Sequence, residues 1–122
     1  MDLFACIPQG TMDLWRGDIH QVSTGIAVEI PHGCEGQIRP RSSMGRRGII
    51  IPNAPGTIDS DYRGEIMILL MYLGPDEATV IRHGDRIAQL VIVPVLQVGF
   101  NIVDDFDASH RGEGGFGSTG KS

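Results

Sequence analysis

The stretch GTIDSDYRG at residues 56–64 lies between two apolar runs, residues 49–51 and 66–73. Glycines at both of its ends allow sharp turns and close approach of the backbone to another group. Between these glycines the stretch carries two carboxylates, an aromatic ring and an arginine. A polar stretch between two apolar runs predicts the tip of a β-hairpin that presents its side chains to a ligand. An ordinary solvated Asp/Ser turn is the alternative.

The rest of the chain predicts an all-β fold, a jelly-roll-like sandwich or barrel. Short apolar runs recur between Gly, Pro, Asn or Asp residues, and few windows show a sustained helical period. A length of 122 residues favours one domain. The predicted strands include residues 1–7, 24–30, 35–41, 49–51, 65–73, 78–81 and 86–95, and residues 42–48 predict a loop with one helical turn. We expect a β domain at residues 1–110 and a mobile, glycine-rich tail at residues 111–122.

Composition and charge exclude several classes of protein. A net charge of −5 argues against a general nucleic-acid binder. Nine of the ten basic residues are arginine, the side chain that suits bidentate contact with phosphate. Cys6 and Cys34 lack CxxC spacing, so neither a disulfide framework nor a zinc site is expected. With no run of 18 apolar residues and no signal-peptide pattern, we expect no membrane segment and an intracellular setting.

Several polar positions are candidates for a functional site. Arg41, Ser42 and Ser43 follow a predicted strand and combine guanidinium, hydroxyl and loop N–H groups that suit phosphate; an ordinary polar turn is the alternative. Asp59 suits activation of water, contact with a sugar hydroxyl or proximity to a metal. Gln89 lies inside an apolar strand, where its amide either meets a ligand or faces outward.

The tail contains GFGSTGKS at residues 115–122, which matches the phosphate-binding loop pattern G-x-x-x-x-G-K-S. That loop works by leading into a helix, and no helix follows in this sequence. We therefore expect a glycine-rich anion nest with Phe116 closing over a planar ligand. The alternative is a disordered tail without a role.

Together these segments resemble the trimeric deoxyuridine triphosphatase (dUTPase) family, which carries five ordered motifs. The matching segments are MDLFA at residues 1–5, RPRSSMG at 39–45, the segment 53–64, GDRIAQL at 84–90 and the tail from residue 111 to 120. The resemblance implies a β jelly-roll subunit in a homotrimer with active sites shared between subunits. It also implies cleavage of dUTP to dUMP and pyrophosphate with Mg²⁺, in the cytoplasm or, for a viral protein, in the host cytoplasm.

The resemblance further implies roles for individual residues. Asp59 would be the catalytic base, and Tyr62 would lie under the deoxyribose. The phosphates would contact Arg41, Ser42, Ser43 and Gln89. The uracil pocket would involve Asn53, Gly56, Ile58 and Met67. The closing tail would contribute Arg111, Phe116, Gly117, Ser118 and Thr119. Gly45 and Thr57 complete the expected substrate-binding set.

Family members usually carry a further stretch before the first motif. This chain starts within that motif, so we expect Asp2, which would reach the magnesium through water, to lie at a frayed terminus. Three alternatives remain at this stage. They are a deoxycytidine triphosphate deaminase, which has a similar fold, a non-catalytic relative that binds nucleotide and signals by protein contact, and a plain structural β module.

Overall fold

The computed structural model describes residues 1–115, and the all-β prediction is confirmed. Within these residues the chain forms nine strands and one short helix. In chain order they are β1 (Asp2–Phe4), β2 (Thr11–Trp15), β3 (Ile19–Ser23), β4 (Cys34–Arg39), α1 (Ser42–Arg46), β5 (Ile49–Ile50), β6 (Gly56–Ile58), β7 (Met67–Tyr72), β8 (Ala78–Arg82) and β9 (Arg86–Pro94). The helix α1 lies in the predicted loop with a helical turn.

The strands form three antiparallel sheets. One sheet has the order β1-β9-β4-β6, the second has the order β3-β7-β5, and β2 pairs with β8 alone. Most of the paired strands are far apart in sequence, so the chain crosses repeatedly between sheets. This topology brings the segments around residues 2, 39, 57 and 89 into one sheet.

One hydrophobic cluster joins the three sheets. In β7 every second residue is buried, with Ile68, Leu70 and Tyr72 facing inward, as the period of a strand requires. From the four-stranded sheet, Leu3 and Ile87 enter the same cluster. Because side chains alternate between the two faces, the opposite face of that sheet carries Asp2, Arg39 and Gln89 together with the half-exposed ring of Phe4.

The amino terminus is not frayed, so the expectation for Asp2 was wrong. Asp2 lies in β1 opposite Gln89 of β9. The Met1 amino group donates to the carbonyl oxygen of Leu90 at 3.2 Å, and the Leu90 N–H donates to the Met1 carbonyl at 2.7 Å. Leu3, which is 2% exposed, anchors the strand in the core.

Two other strand predictions need correction. Residues 24–30 form no strand, because Gly25 adopts a left-handed φ of +71° and the segment bonds the sheet mainly at Ile66. The stretch at residues 56–64 is also not a simple hairpin tip. Its first three residues form β6. Although β5 and β7, on either side of it in the sequence, pair with each other, β6 pairs with β4 in the other sheet.

After β9 the described chain, residues 95–115, contains neither helix nor strand. Large apolar side chains are exposed here, among them Leu96, Val98, Phe100 and Ile102. No helix in residues 1–115 has the length and apolar character that a membrane crossing requires.

Candidate active site

The third motif folds around a cavity of about 310 Å³ between β4, β6 and the start of β7. It is lined by Gln21, Ile38, Asn53, Gly56, Thr57, Ile58, Asp59, Tyr62, Glu65, Ile66 and Met67. All six residues assigned to base, sugar and catalysis in segment 53–67 therefore line one cavity, and Thr57 lines it as well. Its mixed polar and apolar lining suits a flat, partly polar ligand.

Gly56 makes the close packing of this site possible. A Cβ atom at this position would lie 3.3 Å from the Asn53 amide nitrogen and 3.3 Å from the Ile38 Cβ. A larger residue would push the Asn53 turn away from β4. Glycine therefore lets the backbone itself form part of the cavity wall.

The turn after β6 is held by its own side chains. The Tyr62 N–H donates to the Asp59 carbonyl oxygen at 3.1 Å, and the Tyr62 hydroxyl donates to the Glu65 carbonyl oxygen at 2.8 Å. Arg63 donates to the Ser60 carbonyl oxygen at 2.6 Å and lies 3.8 Å from Glu29. The arginine of this motif thus braces the turn.

Glu65 ties the floor of the cavity to the end of β3. Its carboxylate accepts hydrogen bonds from the Ser23 hydroxyl and, at 2.8 Å, from the Gly25 N–H. The Ser23 hydroxyl, followed by the Gly25 N–H, lowers the pKa of Glu65. Sequence reasoning missed this residue and its neighbour Gln21, because their partners are distant along the chain.

Asp59 is exposed and lies where β6 ends, between two cavities. The second cavity, of about 480 Å³, is lined by His32, Cys34, Glu35, Asp59, Ser60, Asp61, Val95 and Gln97. Asp59 therefore lines both cavities and is exposed to solvent. A carboxylate in this position can accept a proton from water.

A second polar cluster surrounds Arg41. The Arg41 Nε lies 3.6 Å from one carboxylate oxygen of Asp2, and Arg41 Nη1 donates to the Ser43 hydroxyl at 3.0 Å. Arg86 lies 3.6 Å from the other oxygen of Asp2. A cavity of about 360 Å³ at this place is lined by Arg41, Ser43, Met44, Arg47, Gly84, Asp85 and Arg86. Guanidinium and hydroxyl donors of this kind suit phosphate.

Other expected substrate contacts line two further cavities. Ser42 and Gly45 line an apolar cavity together with Arg41 and residues 49–51. Gln89 faces outward beside Gln37 and Arg39 in a further cavity. One copy of the chain thus distributes the predicted phosphate residues and the base pocket over separate cavities.

The tail is described only in part. Arg111 is exposed, and its carbonyl oxygen accepts from the Gly114 N–H at 3.1 Å. Phe116, Gly117, Ser118 and Thr119 lie outside the described residues. Among residues 1–115 no group of three or more His, Cys, Asp or Glu side chains could hold a metal ion on its own.

Comparison with known proteins agrees with this geometry. The family model for dUTPase matches residues 10–120. The chain belongs to the dUTPase family. The match spans the second to fifth motifs and includes every residue of the two clusters described above except Asp2.

Individual relatives show the same relationship. The deoxyuridine 5′-triphosphate nucleotidohydrolase of Desulfotalea psychrophila is 50% identical over 98% of this chain and 79% of its own length. That of Herminiimonas arsenicoxydans is 51% identical over 99% of this chain and 81% of its own length. Among solved structures, the dUTPase of Staphylococcus bacteriophage 80alpha with dUPNHPP gives a TM-score of 0.85 at 29% identity, covering 98% of this chain and 85% of that one. The fold is that of a β jelly-roll dUTPase.

Proposed function

We propose that this protein hydrolyses dUTP to dUMP and pyrophosphate, which limits uracil incorporation into DNA and supplies dUMP for dTMP synthesis. The observation that carries the proposal is the convergence of the third motif, residues 53–64, and of Met67 on one cavity. Membership of the dUTPase family supports the substrate and the bond that is cleaved.

Asp59 acts as the base. It takes a proton from a water molecule, whose oxygen forms a bond to the α-phosphorus. The bond from that phosphorus to the bridging oxygen breaks, and pyrophosphate leaves with the electron pair. One positioned base is enough, because the water attacks directly and no covalent intermediate is needed.

Arg41 and the serines beside it, with Gln89, hold the phosphate oxygens. A triphosphate is highly anionic, and an acidic protein must offset that charge locally. We propose Mg²⁺ as the cofactor; when bound, it neutralises charge on the phosphates. Mg²⁺ usually keeps several waters and binds through the substrate phosphates. Asp2, a single partly exposed carboxylate beside Arg41, fits a contact to it through water.

The cavity selects the base and the sugar. Asn53 and the backbone near Gly56 and Ile58 contact the uracil, with Met67 closing the pocket. A methyl group is worth only about 1–3 kcal/mol in a soft pocket, so exclusion of thymine requires rigid walls. The tight packing of Gly56 against Ile38 supplies such a wall. The Tyr62 ring lies under the deoxyribose and disfavours a 2′-hydroxyl.

Residues 1–110 form the catalytic domain, and residues 111–122 close over the bound nucleotide as a lid. In this role Phe116 covers the uracil, while Arg111, Ser118 and Thr119 contact phosphates and Gly117 allows close backbone approach. A lid that orders on the ligand excludes water during the reaction. Gly45 and Thr57 complete the substrate contacts.

We propose a homotrimer whose active sites are shared between copies. Two observations support it. The base cavity and the Arg41 cluster occupy separate cavities in one chain. The segment after β9 exposes apolar side chains at alternate positions, including Val98 and Phe100, which suits burial against another copy. We also propose a cytoplasmic location, consistent with the free thiols of Cys6 and Cys34.

Pyrophosphate release from dUTP with Mg²⁺, measured beside dCTP, dTTP and UTP, tests the proposed function. We expect rapid release from dUTP alone. Release of ammonia from dCTP would instead identify a deaminase. A folded protein that binds dUTP without releasing pyrophosphate would contradict catalysis and favour a binding role.

A further inference from the structure

Four side chains form a continuous chain of contacts across β1, β9 and the start of α1. The Arg86 guanidinium lies over the Phe4 ring, 5.9 Å from its centroid. Arg86 Nη1 lies 3.6 Å from Asp2 Oδ2, and Asp2 Oδ1 lies 3.6 Å from Arg41 Nε. Asp2 therefore bridges two guanidinium groups with its two oxygens.

The strand register places these groups together. In the antiparallel β1–β9 pair, Phe4 lies opposite Arg86 and Asp2 lies opposite Gln89, with a shift of register after Leu3. Cross-strand neighbours on one face are close enough to interact directly. Arg86 can thus stack on Phe4 and still reach the Asp2 carboxylate.

Arg41 is held by one ion pair and two hydrogen bonds, with groups from three segments. Besides its ion pair with the Asp2 carboxylate, it donates from Nη1 to the Ser43 hydroxyl at 3.0 Å and to the Arg86 carbonyl oxygen at 3.2 Å. These contacts engage Nε and Nη1, so Nη2 is the nitrogen for which no described residue serves as acceptor. A guanidinium fixed in this way loses less freedom when it binds a phosphate.

The charges explain why a carboxylate is needed at this place. Arg41 and Arg86 would repel each other if no anion lay between them. Of the three side chains, Arg86 is the most exposed at 58%, whereas Arg41 and Asp2 are 24% and 28% exposed. Arg86 thus lies nearer to solvent, and Arg41 is the more buried of the two arginines.

We propose that Arg86 is a positioning residue that acts through Asp2 to orient Arg41 toward the β- and γ-phosphates of the substrate. The Phe4 ring holds Arg86 in place for this task. The inference rests on the proposed triphosphate substrate, and it assigns Asp2 a role that does not depend on a metal.

The test is calorimetric binding of a non-hydrolysable imido analogue of dUTP, and of dUMP, to the full chain in EDTA. The variants are Asp2→Asn, Arg86→Gln and the double variant. Arg82→Gln, which removes the same charge from β8, is the matched control. Removing a carboxylate near an anion site should by charge alone tighten binding of the triphosphate. If Asp2 instead positions Arg41, Asp2→Asn should weaken binding of the triphosphate analogue about tenfold and leave the affinity for dUMP unchanged.

The double variant separates positioning from direct contact. If Arg86 acts through Asp2, the double variant should bind the analogue no more weakly than the weaker single variant. Additive losses would show that Arg86 contacts phosphate itself and would overturn the proposal. Unchanged or tighter analogue binding by Asp2→Asn would overturn it as well.

Two further measurements distinguish failure of this inference from failure of the proposed substrate or of protein folding. If wild-type protein does not bind the analogue, the proposed substrate fails, independently of Arg86. If Asp2→Asn does not fold, Phe4→Leu takes its place, since this half-exposed ring can be removed from Arg86 without opening the core. We expect Phe4→Leu to weaken analogue binding about twofold to fivefold without affecting dUMP. Equal effects on both ligands would contradict the inference.

Discussion

The Tyr62 hydroxyl donates a 2.8 Å hydrogen bond to the backbone carbonyl oxygen of Glu65. This bond folds the aromatic ring back across the turn after β6, where it lies over Gly64 and leaves no room for a Cβ atom there. The ring that lines the cavity is therefore oriented by the backbone of its own turn.

Tyr62→Phe and Tyr62→Ala should separate the hydroxyl from the ring. Tyr62→Phe keeps the ring but frees it, so we expect kcat/KM for dUTP to fall by about threefold to tenfold, the value of one hydrogen bond. Tyr62→Ala also removes the surface proposed to lie under the sugar and should raise the turnover of UTP relative to dUTP. Steady-state kinetics with both nucleotides measures the ratio. An unchanged ratio in Tyr62→Ala would assign sugar selection to another residue.

Asp59→Asn should abolish turnover and leave binding largely intact. The substitution removes the base but almost no volume, and the residue is exposed at the end of β6. A positioned base contributes about 10²- to 10⁴-fold to rate. Pyrophosphate release gives the rate, and calorimetry with the imido analogue of dUTP gives the affinity. Asp61→Asn, two residues along the same turn, is the matched control and should retain most of the activity. Loss of activity in both variants would argue for a combined acidic role.

The stability that Glu65 provides should depend on pH. Its carboxylate is the acceptor for Ser23 and Gly25, and these bonds lower its pKa below the usual 4.5. A depressed pKa contributes stability that is present above the unfolded value and is lost as pH falls through the folded one. Glu65→Gln should therefore melt below wild type at about pH 7, and the difference should shrink below about pH 4. Because the group is exposed, the difference should also decrease at high salt. A difference that is constant with pH would contradict a role for the charge.

The sequence predicted those parts of the fold whose signals are local. The apolar runs of β7 and β9 were visible as strands because many of their side chains face the core. In contrast, β6 has only three residues, and its partner β4 lies on the far side of α1 and β5. No local pattern shows such a pairing. Residues 24–30 carry strand-forming side chains, but the left-handed Gly25 turns the backbone out of the sheet.

The residues of the candidate site likewise fall into those that the local sequence indicates and those that only the fold reveals. Asp59 and Tyr62 were identified because polar and aromatic side chains between glycines suggest a ligand. Glu65 contacts Ser23 and Arg86 contacts Asp2, and these partners are 42 and 84 residues away along the chain. Such contacts follow from topology alone. The separation of the base cavity from the Arg41 cluster likewise became visible only in three dimensions.

Removal of residues 111–122 should cripple turnover and leave the folded assembly. The described part of this segment, residues 111–115, lies outside the sheets, and none of its residues belongs to the core cluster. We expect a nearly unchanged melting temperature together with a large loss of kcat, because the truncation removes the proposed lid. Size-exclusion chromatography with light scattering reports the assembly. Dissociation on truncation would show that the tail is structural.

Mixing two inactive variants should restore activity if the site is shared between copies. Asp59 and Arg41 line different cavities of one chain, so a dUTP molecule bound between copies would take one residue from each. Asp59→Asn and Arg41→Gln should each be inactive when refolded alone. Refolded together in equal amounts, they should regain about a quarter of the wild-type sites, since random assortment supplies each intact residue with probability one half. No recovery, with light scattering showing that mixed assemblies have formed, would place both residues of each site on one chain. Phe100→Asp provides a second measurement, because a charge on an exposed apolar position that is buried between copies should dissociate the assembly and lower activity together.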